Sequence, residues 1–315
     1  MANISSSTTA SPPFTKAVVG AMRKLYPEKL ADSSFDNTGL LLEAPHRPDS
    51  RLKNSALLTI DLTKAVADEA IARQDSIVIS YHPIIFRGLK SITLNNTQQT
   101  SLLRLAQEGI SVYSPHTAVD AAPGGLNDWL ADIVTNTDRC VADRNPLSHN
   151  RQIINPVKDL SSLPPHFSSA GYGRIITFSE TQNLIPIIEH VRVGLGNLRG
   201  LSVAIPQHIT GASRAEIGIR TVGICAGSGG SMLNGLDVDL LFTGELSHHE
   251  ALAAVENGRC VITASHSNSE RGYLKVMKGL LEAELKGEGQ FEVAVSECDR
   301  DPFEIITNPG EQMGG

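Results

Sequence analysis

The chain has 315 residues, 41% of them hydrophobic and 19% charged, with a formal net charge of −7. This length can bury a sizeable core as one large or two medium domains. The acidic balance argues against a general nucleic-acid or membrane-surface binder, and no apolar run approaches the roughly 18 residues of a membrane span. Four cysteines (Cys140, Cys225, Cys260, Cys298) are widely spread with no CxxC pair. That excludes a cysteine zinc finger, gives no sign of a disulfide framework and fits a reducing compartment.

Residues 1–13 are rich in Ser and Thr and are expected to be disordered. No acid occurs before Glu28, and Lys16, Arg23 and Lys24 follow, a faint likeness to a mitochondrial presequence. The expected compartment is the cytoplasm, with the mitochondrion as the alternative. Phe14, Val18, Met22 and Leu25 form the stripe of a first core helix over 14–25. Residues 35–42 read as a turn entering a strand, and 56–60 as a strand ending in Asp61-Leu62-Thr63. A helix over 64–73 leads to the nearly continuous apolar strand 76–80. A helix containing 102–107, a strand over 110–113 and a helix over 126–133 follow.

Segment 136–170 carries Pro146, Pro156, Pro164 and Pro165 among Asn, Asp and Ser, and reads as a linker region. A second run begins with strand 174–178 and helix 182–192. It continues with strands 202–205 and 221–225, a Gly-rich loop 227–230, strand 239–242 and helix 249–256. Strand 260–262 comes next, then a polar turn and a helix with Leu274, Met277 and Leu281 on one face. Strand and helix alternate throughout, so the fold class is α/β with a mixed or parallel sheet. Two similar domains are expected, the first over 14–135 and the second run over 171–305. Residues 306–315 form a tail.

In such sheets ligands gather at the carboxyl ends of strands. Three polar clusters stand there: Tyr81-His82-Pro83, His116 to Asp120, and His266 to Glu270. Each has a bland reading. His82 caps a strand, its backbone kept extended by Pro83. Asp120 serves a local turn, and Glu270 sits in a first helical turn where the macrodipole favours acid. Taken together, His82, Asp120, His266 and Glu270 supply two nitrogens and two carboxylates. That set suits zinc, manganese, iron or cobalt, and bridging carboxylates would admit two ions. His116 and His249 remain for proton transfer or for support of the ligands. The stretch Gly223 to Gly230 follows a strand but is neither a Walker A loop nor a GxGxxG fingerprint. Its N–H groups could cradle an anion, or its glycines could let backbone approach a neighbour closely.

The motifs FDNTGLLL, SYHPIIF, SPHTAVDAAPGGLND, GYGRI, GICAGSGGSML, DLLFTGELSHHEAL and ITASHSNSERGYL occur in that order. The chain thereby resembles the NIF-three family (NGG-one-interacting-factor-three-like proteins, with bacterial YbgI-type members, also described as GTP cyclohydrolase I type 2-like) over roughly 14–305. The resemblance implies two similar α/β domains in a ring-like homohexamer, with a dinuclear metal centre in the interdomain cleft. Part of 239–305 is then expected to return and complete the metal site of the first domain.

The implied metal ligands are His82, Asp120, His266 and Glu270, for one or two zinc, iron or manganese ions, with His116 and His249 close by. Many bacterial members carry two adjacent histidines where this chain has Tyr81-His82, which puts filling of the second metal position in question. The function expected is metal-dependent hydrolysis of a nucleotide or other small substrate. The alternative is a protein-interaction or transcription-regulatory factor with a structural metal. A third reading is a metal-handling protein without chemistry of its own. No guanine-reading motif is recognisable, which argues against GTP ring opening.

Overall fold

A computed structural model gives the structure of the protein and describes residues 11–45, 51–137, 145–207, 209 and 216–306. Most of the start expected to be disordered, the tail after 306 and Cys140 lie outside the described residues. The chain divides into two compact units, Met1–Val119 with Leu274–Arg300, and Asp120–Tyr273 with Asp301–Gly315.

In chain order, helix α1 (Pro13–Leu25) precedes strands β1 (Gly39–Leu42) and β2 (Ser55–Thr59) and helix α2 (Lys64–Arg73). Strand β3 (Ile77–Ser80), helix α3 (Thr97–Glu108), strand β4 (Ser111–Ser114) and short helix α4 (Thr117–Ala121) follow. Next come helix α5 (Leu126–Val134), strands β5 (His149–Pro156) and β6 (Gly171–Asn183), and helix α6 (Leu184–Gly194). Strands β7 (Ser202–Ala204) and β8 (Gly218–Ser228) lead to α7 (Gly230–Leu233), β9 (Leu240–Glu245) and α8 (His248–Glu256). Strand β10 (Cys260–Thr263), α9 (Asn268–Arg271), α10 (Leu274–Glu284) and β11 (Glu292–Val295) complete the series.

The first unit holds a five-stranded sheet in the order β1-β4-β3-β2-β11. Only β1 runs antiparallel to its neighbour; β4, β3, β2 and β11 are mutually parallel. Strands buried on both faces need unbroken apolar runs, and every residue of β2 and β3 is buried. Val66, Ala67 and Ala70 of α2, with Leu105 of α3, pack on Leu57, Val78 and Val112. Covering a Val or Leu side chain in this way contributes about 1.5–3 kcal/mol before chain entropy is charged. Helix α1 packs on α10, which packs on β11 and β2. Thr63 caps α2, its side chain accepting from the Val66 N–H, and Pro13 fills the first helical position of α1, where no N–H is needed.

The second unit holds a six-stranded mixed sheet in the order β5-β6-β8-β9-β10-β7, with β8, β9 and β10 parallel. Its core joins Cys225, Leu233, Leu241, Ala254 and Val261. Arg174, near the start of β6, is 2% exposed. Its guanidinium donates to both Asp128 oxygens at 2.7 and 2.8 Å and to the carbonyls of Gly171 and Gly173. This bidentate pairing is what lets a cation sit inside a sheet. Burial works to raise the Asp128 carboxyl, but Arg174 and the other donors outweigh it and hold it below the usual range. The segment 136–170 contains β5, which pairs with β6 from His149 to Pro156. As an edge strand with half its residues exposed, it lacks the alternation that marks a core strand.

Candidate metal centre

In the first unit, two histidines follow adjacent strands. His82 stands two residues beyond β3, where its N–H donates to the Ile60 carbonyl at 3.0 Å. Its Nδ1 lies 2.9 Å from Oδ1 of Asp61, just past the end of β2, the parallel neighbour of β3. His116 follows β4 with φ +32, a left-handed conformation that is uncommon for a residue other than glycine. Its Nδ1 lies 2.6 Å from Oδ1 of Asp36. The Thr117 N–H and the Thr117 and Thr38 hydroxyls donate to the other Asp36 oxygen. Burial works to raise the Asp36 carboxyl, but the His116 hydrogen bond and charge, with Thr117 and Thr38, overcome it and hold the pKa at about 2. Tyr81 is buried and sets its ring edge-on to His82 at 5.0 Å and to His116 at 5.5 Å.

In the second unit, β10 ends at Thr263 and the chain turns through Ser265 at φ +70 before His266. Helix α9 starts at Asn268, so His266 precedes the helix, and the turn brings His266 Nε2 to 3.4 Å from Glu270 Oε1. His266 Nδ1 lies 2.9 Å from Oε1 of Glu245, the last residue of β9. Glu270 is 2% exposed. Ser269 locks the turn: its hydroxyl donates to the His266 carbonyl at 2.7 Å and accepts the Gly227 N–H at 2.9 Å.

Gly227 explains the Gly-rich stretch. At φ +59, a Cβ there would lie 2.7 Å from Glu270 Oε1 and 2.9 Å from His266 Nε2. The glycine is bare because the histidine and the carboxylate occupy that space. The N–H groups of Ala226 and Gly227 donate to Asn127 and Ser269, and that of Gly229 reaches the Glu245 carbonyl. An anion cradle at these three amides, one of the two sequence-based readings, is therefore ruled out.

Asp120 lies half-buried on α4. Burial chiefly pushes the Cys225 thiol upward, and the charges of Asp120 and Glu270 add to it, so both carboxylates lie near one stretch of β8. His249 is exposed in the first turn of α8, beside His248 with ring centroids 5.3 Å apart.

His82 of the first unit and His266 and Glu270 of the second are residues that could hold a metal ion. Asp120, His116 and His249 are not members of that group of three. The donor chemistry fits a transition-metal ion: His82 and His266 each set Nδ1 on a carboxylate, the support that a ligand imidazole takes, and Glu270 adds a buried carboxylate. Three carboxylates with this supporting role, Asp36, Asp61 and Glu245, escaped the sequence-based reading. The signal lay in the positions of Asp61 and Glu245, acids at the carboxyl ends of the strands preceding the histidine-bearing ones.

A family model described as Duf34/NIF3 (NGG1p interacting factor 3) matches residues 14–302. The chain belongs to this family. The Schizosaccharomyces pombe relative called protein NIF3 homolog is 46% identical over 285 residues, covering 90% of this chain and 94% of its own length. The Saccharomyces cerevisiae NGG1-interacting factor 3 is 40% identical over 296 residues, covering 91% and 96%. Among solved structures, the Bacillus cereus protein related to NIF3 matches with a TM-score of 0.72 at 19% identity, covering 94% of this chain and all of that one. The reduced HcgD of Methanocaldococcus jannaschii matches with a TM-score of 0.68 at 21% identity, covering 90% and 97%. At these identities the structural likeness shows the fold. Among the described residues no helix is long and apolar enough to cross a membrane.

Proposed function

We propose that the protein is a metal-dependent hydrolase of a nucleotide or another small substrate. In this reading His82, Asp120, His266 and Glu270 hold one or two zinc, iron or manganese ions in a cleft between the domains. The observation that carries it is that His82 and His266 each rest Nδ1 on a carboxylate at 2.9 Å, while Glu270 is buried at 3.4 Å from the Nε2 of His266. Imidazoles merely satisfying a surface do not need that arrangement; imidazoles pre-set as ligands do.

A bound divalent ion would supply Lewis acidity and acidify water enough for attack at neutral pH. Asp61 and Glu245 fix the two rings and keep a proton on Nδ1. Asp36, ionised down to about pH 2, holds His116 by Nδ1, so Nε2 is the atom that accepts or returns a proton. His249, exposed at the start of α8, is the second candidate for proton transfer. A ring-like homohexamer, which the family resemblance implies, belongs to the same proposal.

A second reading is a protein-interaction factor in which the metal is structural. The name of the Saccharomyces cerevisiae relative, NGG1-interacting factor 3, favours it. Metal analysis of the purified protein decides between outcomes, combined with a screen of nucleotides and phosphoesters with and without added ions. The hydrolase reading expects bound metal, metal-dependent turnover, and loss of metal from folded His266→Ala and Asp120→Ala variants. Unchanged metal content in both folded variants refutes the site. Bound metal without turnover of any ester leaves the second reading.

A further inference from the structure

We infer that Phe35 and Phe86 form a stacking platform for a planar aromatic ring of the substrate, beside the His116 imidazole. The inference deepens the hydrolase reading and rests on it for the presence of a small substrate. Phe35 is 52% exposed and Phe86 44% exposed, so neither ring belongs to the core of its unit. Their centroids lie 6.3 Å apart with planes tilted by 43°. Phe86 stands edge-on to His116, centroids 6.2 Å apart and planes at 78°. His116 in turn stands edge-on to His82 at 5.5 Å. A line of rings thus runs from two exposed phenylalanines to the imidazoles of the candidate metal centre.

Polar anchors hold the two phenylalanine loops. Asp36, the neighbour of Phe35, is fixed by His116, Thr117 and Thr38. The Asn37 side-chain amide donates to the carbonyl of Ile85, the neighbour of Phe86, and so ties one loop to the other. Two apolar rings held exposed by a half-buried polar frame gain nothing for folding, but are pre-organised to stack. A flat ligand ring covers a phenylalanine face with little entropy loss, and its substituents then fall beside His116. Arg87 and Lys90 are exposed on the loop that follows Phe86 and suit an anionic substituent. Together these features select an aromatic, anionic small molecule, for which a nucleotide is the natural probe.

The test is calorimetric titration of the full-length, metal-loaded protein with adenosine 5′-monophosphate and, separately, with ribose 5-phosphate. The ring-bearing ligand is expected to bind wild type at least about tenfold tighter, the scale of base–aromatic stacking. Phe35→Leu and Phe86→Leu, which keep apolar bulk but remove the ring, are each expected to weaken adenosine 5′-monophosphate about five- to tenfold. They should leave ribose 5-phosphate affinity and metal content unchanged. Equal weakening of both ligands, unaltered nucleotide affinity, or no preference for the ring in wild type overturns the platform. A fall in molecular mass by light scattering with nucleotide affinity intact also overturns it, assigning the patch to a second copy of this chain. Metal retained without ring preference sinks the platform alone; ring preference in a protein that binds no metal sinks the metal reading alone.

Discussion

Replacing Gly227 with alanine tests the candidate centre at the point where backbone and donors are in closest contact. Two separable costs follow. Alanine at φ +59 enters the left-handed region at about 1–2 kcal/mol. Its Cβ would also stand 2.7 Å from Glu270 Oε1 and 2.9 Å from His266 Nε2, where ordinary contact begins at 3.4 Å. The two donors must therefore retreat by about 0.5–0.7 Å, whereas metal–ligand distances tolerate about 0.2 Å. A loss of at least about tenfold in metal affinity is expected, comparable with removal of a supporting contact. Gly235→Ala supplies the control, because Gly235 has φ +81 and nothing within 4 Å of its would-be Cβ. Chelator competition measures the affinity, and urea unfolding followed by circular dichroism measures stability. Both variants should lose about 1–2 kcal/mol of stability, but only Gly227→Ala should release metal. Equal metal affinity in the two variants would refute the reasoning.

Two further outcomes follow from groups within single units. Arg174→Ala leaves the Asp128 carboxylate without its bidentate partner and should cost about 3–5 kcal/mol, read from urea midpoints; a loss under about 1 kcal/mol would show that water replaces the guanidinium. Asp36 has a folded pKa of about 2, below its ordinary 3.8, so the stability it adds is present above pH 4 and lost as pH falls towards 2. Wild type should therefore lose about 1–2 kcal/mol over that window that Asp36→Asn does not, solvent screening included. Parallel pH profiles of the two proteins would contradict the Asp36–His116 pairing.

How far the fold was legible depended on burial. Strands β3 and β10 announced themselves because both faces are covered and each position must be apolar. Strand β11 did not: four residues at a sheet edge, only Val293 of them buried, carry too little pattern. Arg174 was visible as a cation heading an apolar run, but its partner Asp128 lies 46 residues earlier on α5, and nothing local in the sequence links them. The break between α9 and α10 likewise hides in a continuous helical stripe. At the site, His82, His266 and Glu270 could be read because polar residues at strand exits stand out against apolar strands. The acids that hold the imidazoles could not, because their role follows from which strands are parallel neighbours.

That pairing occurs twice, once in each unit, with the same construction. In the first unit β2 leads through α2 to β3, and Asp61 just beyond the first strand meets His82 just beyond the second. In the second unit β9 leads through α8 to β10, and Glu245 ending the first strand meets His266 beyond the second. The separation is 21 residues in both, and the Nδ1–oxygen distance is 2.9 Å in both. A strand–helix–strand crossover sets adjacent parallel strand ends side by side, so an acid on one exit and a histidine on the next are brought within hydrogen-bond reach by topology alone. If the acids exist to aim Nε2, removing their charge while keeping their shape should weaken metal without unfolding the protein. Asp61→Asn and Glu245→Gln are each expected to lower metal affinity about 10–100-fold, with urea midpoints nearly unchanged because both carboxylates are substantially exposed. Chelator competition at several pH values gives the readout that a purely structural role would not move. The amide cannot accept the Nδ1 proton with a full charge, so metal release should begin at higher pH in each variant. Unchanged affinity in both would mean that the repeated pairing only closes strand ends.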